Sequence, residues 1–188
     1  KNMKIYDKKF DDILNEPSLN SKFDSISHDN LKLNCNILNG NFYLETNNFF
    51  PITKENNTFL DLFNWKNKKE YEHFYSSQFY ENFNKKINSF KSFSDLFILG
   101  SSPFDNYYRN MITFIPRIFF NKKKDIKLAI HRNSSNKLRN FIKSICDQME
   151  VTFKLVYLDD GFFKFDNSTI PQFLQNSDSL KILNSMKI

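Results

Sequence analysis

Between Leu31 and Thr46 the chain alternates. Leu31, Leu33, Cys35 and Ile37 fall on one face with polar residues between them, and Asn39-Gly40 follows, the pair that a type I′ turn requires. This pattern predicts a β-hairpin. A loop-rich connection follows over 49–65, with Pro51 and Asn56-Asn57, and from Lys66 the spacing becomes helical at Tyr71, Phe74, Tyr75, Phe79, Phe83, Ile87 and Phe90. An aromatic stripe of that period reads first as a core-facing helix side. Its other use would be as a stacking platform.

The second half has a different rhythm. Asp95-Leu-Phe-Ile-Leu-Gly100 is a short apolar run ending in glycine, as expected of a strand buried on both faces. After the turn Ser101-Ser102-Pro103, apolar positions at Tyr108, Met111, Ile112, Ile115, Ile118 and Phe119 predict a helix from about Asp105 to Phe120. Pro116 lies inside it and lacks the N–H that would bond Ile112, which predicts a kink there unless the helix ends or restarts. Ile126-Lys-Leu-Ala-Ile130 reads as a second strand. Ser134 or Ser135 caps a helix carrying Leu138, Phe141, Ile142, Ile145, Cys146 and Met149, and Phe153 to Leu158 forms a third strand closed by Asp159-Asp160-Gly161.

Strand, helix, strand, helix, strand predicts an α/β fold. The unit is a Rossmann-like βαβαβ lobe with a parallel sheet, preceded by the hairpin-containing region. The expected organisation is an N-terminal extension over 1–30 and a single lobe over 31–188. Ligands of such sheets gather beyond the carboxyl ends of the strands, so three loops are nominated: Gly100 to Asn106, His131 to Ser135, and Asp159 to Phe162.

Composition narrows the chemistry. The 188 residues suffice for one domain with a core and are too few for two large lobes. The net charge of +6 points to anionic partners, but no basic run exceeds Lys122-Lys123-Lys124, and the excess accompanies a general richness in Lys, Asn, Phe and Ile. Nucleic acid is thus the lesser expectation. Cys35 and Cys146 form no CxxC pair, His28, His73 and His131 no HExxH, and with three glycines the chain has no GxGxxG, P-loop or GxSxG. Neither a metal nor a cofactor is expected. No apolar run is long enough for a membrane helix, and the first ten residues lack the apolar core of a signal peptide, so a cytoplasmic protein is expected, at most peripheral at the inner membrane face.

Two loops carry candidate chemistry. His131-Arg132-Asn133-Ser134-Ser135, between a strand end and a helix start, combines backbone N–H groups, a helix dipole and a guanidinium suited to an anion. Asp159-Asp160-Gly161 supplies carboxylates, although adjacent residues at a strand end point apart and Asp-Gly is also a common turn. In the first turn of the Pro116 helix, Asn106, Tyr107, Tyr108 and Arg109 stand at the strand-end side, where ligands bind.

The segments FILGSSPFDNYYRNMITFIPRIFF, KLAIHRNSS, LDDG and TIPQFL together resemble the N-terminal half of the bacterial capsular-polysaccharide type of glycosyltransferase family 61. In that family a short apolar strand precedes an asparagine, two mostly aromatic positions, a histidine and a helix carrying Pro-Arg. Asn106, Tyr107, Tyr108, Pro116 and Arg117 match, while Arg109 stands at the histidine position. A guanidinium cannot take a proton at neutral pH, so Arg109 cannot copy a base. The resemblance runs from about Asn34 to Leu174. It implies one lobe of a two-lobed GT-B-like arrangement that transfers a sugar from a nucleotide-sugar donor to a glycan acceptor. The chain would be the acceptor-side lobe, with the second lobe missing from a fragment or lost in a degenerate protein. On that reading the base is His131, with Asp159 or Asp160 as the carboxylate alternative, and Arg132 or Arg109 stabilises charge; Asn106 to Arg109, Arg132, Asn133 and Ser134 contact substrate. The competing expectation is a basic nucleic-acid-binding or non-catalytic interaction module.

Overall fold

The computed structural model describes residues 5–6, 21–28, 31, 33–47, 49–52, 58–59, 77–102, 104–174 and 176–186. The strands are β1 (Ile5–Tyr6), β2 (Ser21–His28), β3 (Leu33–Glu45), β4 (Phe50–Ile52), β5 (Thr58–Phe59), β6 (Ser92–Ser94), β7 (Phe97–Ile98), β8 (Asp125–His131), β9 (Thr152–Leu158) and β10 (Phe162–Pro171). They form one ten-stranded mixed sheet in the order β1-β5-β4-β3-β10-β7-β8-β9, with β2 on β3 and β6 on β10. The helices are α1 (Ser77–Lys86), α2 (107–120), α3 (Asn136–Gln148) and α4 (Asn176–Ser185). The fold is α/β.

Strands β7, β8 and β9 are parallel neighbours joined through α2 and α3, so the βαβαβ unit expected from the pattern is present. Alternation divides the core between the two faces of the sheet. Leu96 and Ile98 enter one apolar cluster with Phe42, Phe83 and Phe165; Phe97 and Leu99 enter the other with Ile115, Ile118, Ile142 and Ile145. β7 is therefore buried on both sides, as its uninterrupted apolar run requires.

The expected hairpin at Asn39-Gly40 is replaced by one continuous strand, β3. Asn39 and Gly40 pair with β2 on one edge and with β10 on the other, leaving no room for a turn. What changes near Asn39 is the buried face: Leu33, Cys35 and Ile37 point into one cluster, Leu38, Phe42 and Leu44 into the other. Ser21–His28, placed by the sequence in an N-terminal extension, is the strand that flanks β3, so the sheet begins inside that extension. Of the aromatic stripe, Tyr71, Phe74 and Tyr75 lie outside the described residues; Phe83 is fully buried and packs on Tyr43, Phe90 and Phe162.

Pro116 acts as anticipated, in a specific form. α2 starts as α-helix at Tyr107–Arg109, widens to π over Asn110–Phe114, and tightens to 3₁₀ over Ile115–Phe120. Ile115 N–H bonds Asn110 O, five residues back, in front of the proline that cannot donate. The change of helix type turns Phe114 into one core cluster and Ile115 and Ile118 into the other.

Candidate functional site

All three nominated loops meet at the carboxyl ends of β7, β8 and β9. Buried Ser101 accepts the N–H of His131 at 2.8 Å and lies 2.8 Å from Ser134 Oγ, which itself donates to His131 O at 2.6 Å. The Ser134 hydrogen is thus committed, and Ser101 is the donor between the two hydroxyls. Asp105, held at φ +49°, accepts from Ser135 N at 3.1 Å and from Asn110 Nδ2 at 3.4 Å, while Asn110 Oδ1 accepts the N–H of Ser102 at 2.7 Å. Ser135 is the N-cap of α3 and Asn106 that of α2, accepting from Leu138 N and Arg109 N.

His131 is 1% exposed. Its Nδ1 accepts from Asn133 N–H at 3.1 Å, so the ring proton sits on Nε2 and is donated to Asp160 Oδ1 at 2.9 Å. The imidazole lone pair is occupied by backbone, and the exposed member of the pair is the Asp160 carboxylate. Arg132 grips Asp159 through both Nε and Nη2. This bidentate bond holds the Asp159 carboxyl below its ordinary range and raises Arg132 above its own. Both partners are exposed, so the pair orients the loop more than it stabilises the fold. Thr46, 113 residues away in sequence, closes the cluster: its Oγ1 donates to Asp159 O at 2.7 Å and accepts from Gly161 N at 3.0 Å.

Two sequence-based expectations change in meaning. The amides of the 131–135 loop were candidates for cradling an anion, but Asn133 N bonds His131 Nδ1, Ser134 N bonds His131 O and Ser135 N bonds Asp105. A carboxylate of the protein itself stands where a bound phosphate would. Asp159 and Asp160 face different partners, and among the described residues no three His, Cys, Asp or Glu side chains converge on a point that could hold a metal.

The aromatic residues of the first nominated loop turn outward. Phe104 is 90% exposed, Tyr108 67% and Tyr107 51%, and Lys137 of α3 stands 4.5 Å from the Tyr107 ring centre. Arg109 lies 5.7 Å from the ring of Phe114. Arg117, by contrast, is wholly buried: it donates to Leu99 O and Pro171 O and stacks on Phe173 at 4.4 Å, a structural position. Ser101, Asp105, Asn110 and Thr46 were not nominated. The first two sit inside a nominated loop, whereas Thr46 carries no local signal.

No protein-family model matches this sequence, and neither a curated protein nor a solved structure matches it. Among the described residues no helix is long and apolar enough to cross a membrane.

Proposed function

We propose that the carboxyl-end loops bind a glycan, and that this chain serves as the acceptor-side, Rossmann-like lobe of a two-lobed sugar transferase. The observation that carries the reading is the group of outward-facing aromatics, Phe104, Tyr107 and Tyr108, in the strand-end region that also holds the His131–Asp160 pair. Side chains of that size left in water mark a contact surface, and flat aromatic faces with adjacent hydrogen-bonding groups suit the C–H faces and hydroxyls of sugars. Asp160, 64% exposed and oriented by a buried imidazole N–H, is the group placed to accept a proton from a hydroxyl. Lys137 supplies positive charge at the rim, while the charge of Arg132 is met by Asp159. The nucleotide-sugar donor belongs to a second lobe.

The test is saturation-transfer NMR with neutral oligosaccharides of hexoses and N-acetylhexosamines, with a nucleotide sugar as a separate arm. Glycan contact that weakens about tenfold, or about 1.4 kcal/mol, in Tyr107→Ala/Tyr108→Ala supports the assignment. Absence of glycan contact at millimolar concentration, or contact indifferent to both tyrosines, refutes it.

A further inference from the structure

At the other end of the parallel strands the sheet forks. β8 begins at Asp125, but β7 begins only at Phe97, opposite Leu128, so residues 125–127 run past the start of their neighbour. The chain that could have continued alongside them turns away at Asp95, at φ +58°, and β6 pairs with β10 instead. That turn is fastened by Asp95 N–H to Asp166 O, Leu96 N–H to Ser168 Oγ and Asn167 Nδ2 to Asp95 Oδ1. Between the two prongs lies a cavity of about 640 Å³, the size of sites that take small organic ligands.

The lining is divided. Phe97, Phe120, Ile126 and Ile37 give it apolar walls, while Lys122, Lys123, Lys127 and Lys154 stand at it against Asp95 and Asp125. The Asp95 carboxylate accepts from Asn167 Nδ2 and also meets the charges of Lys127 and Lys123, and Asn121 clamps the lysine turn by accepting Lys123 N–H and donating to Lys123 O. Lys127 and Lys154 are direct register partners on β8 and β9. Like charges opposite one another weaken a sheet; Asp95 offsets part of that repulsion at Lys127, and a bound anion offsets more.

We propose that this cavity binds a small amphiphilic anion, with an apolar body in the fork and a phosphate or carboxylate between Lys127, Lys154 and the 122–123 turn. The site is independent of the glycan surface at the opposite strand ends.

Decyl phosphate below its micellar concentration is the probe, with decanol, inorganic phosphate and anionic phospholipid vesicles as controls, read by calorimetry and by isoleucine methyl NMR. Saturable one-to-one binding is expected, shifting Ile126 and Ile37 but not Ile182, and stronger than for decanol or phosphate alone. Lys127→Glu should weaken it about tenfold, because the anion loses a cation and meets a carboxylate in its place. Lys143→Glu, on the exposed face of α3, should not. Equal binding of decanol, equal binding of inorganic phosphate, equal effects of the two variants, or binding to vesicles alone overturns the proposal.

Discussion

Gly100 marks the point where β7 hands the chain to the site loops, and replacing it with alanine tests the packing there. Gly100 sits at φ +78°, and a Cβ on it would lie 2.7 and 2.9 Å from Phe114 ring carbons and 3.0 Å from Phe49 Cγ. Left-handed backbone costs an alanine roughly 1–2 kcal/mol, and forcing a methyl into a closed core typically costs a further 1–3. The unfolded chain loses conformational freedom, which returns about 0.4–1 kcal/mol. Gly100→Ala is therefore expected to destabilise by about 1–4.5 kcal/mol in urea unfolding at constant m-value. Gly161 separates the two causes, since at φ +138° its added Cβ would meet nothing within 4 Å; Gly161→Ala carries strain without a clash. Combining Gly100→Ala with Phe114→Leu should cost less than the sum of the single changes by about 1 kcal/mol, because the ring that obstructs the methyl is gone. A Gly100→Ala loss below 1 kcal/mol, or strict additivity with Phe114→Leu, would refute the reasoning.

Two further tests concern the buried Arg117–Cys35 region. Leu99 and Pro171 lie two residues beyond the paired Phe97 and Thr169, where proline has no N–H for the ladder, and the Arg117 fork donates to both carbonyls. Burial pushes this guanidinium down to about 9, still cationic at neutral pH, whereas a lysine at the same position starts lower and is readily neutralised by the same burial, so Arg117→Lys loses the fork and is not assured of the charge. Arg117→Lys and Arg117→Met should each cost about 2–4 kcal/mol in urea, because each leaves at least one of Leu99 O and Pro171 O unpaired in the core; a loss below 1 kcal/mol for both would contradict this account. Burial pushes the Cys35 thiol from 9.0 up to about 12, with Arg117 opposing. The folded state keeps a proton that the unfolded chain releases, so Cys35 contributes stability that is full below about pH 9 and is lost as pH rises toward 12, about 2 kcal/mol of it by pH 10.5; buried Cys146 adds a loss of the same sign, while Arg117, which sheds its proton earlier when folded, contributes in the opposite direction. Cys35→Ala should show a correspondingly shallower alkaline decline, and equal slopes would exclude Cys35 as the cause.

Legibility followed the range over which each signal acts. The β8 run and the α3 stripe are readable because a buried strand shows as a short apolar run and a helix with one core-facing side writes its period into consecutive residues. β3 departs from the expected hairpin because Asn39-Gly40, a turn signal on its own, is paired on both edges, and the buried face changes between Ile37 and Leu38 against β10, more than 120 residues later. β10, Phe162–Pro171, carries Asp166-Asn167-Ser168 in its middle, residue types that favour turns, and the structure uses them as a bulge, with Asn167 at φ +47°. The meeting of the three loops followed from strand polarity alone. Thr46, Asp105 and Asn110, which hold them together, did not, because their partners are fixed only by the completed fold.

That internal fastening bears on what the loops can bind. A helix N-terminus at the carboxyl edge of a parallel sheet ordinarily offers unpaired amides to a phosphate. Here Asp105 takes Ser135 N, and His131 takes the amides of Asn133 and Ser134. An incoming phosphate would have to displace a carboxylate that also binds Asn110, and through Asn110 the backbone of Ser102. A neutral ring stacked on Tyr107 or Tyr108 displaces none of these bonds, since both tyrosines already face water. These loops are thus better suited to a neutral ring than to a phosphate, which is the ligand class that the proposed function gives them.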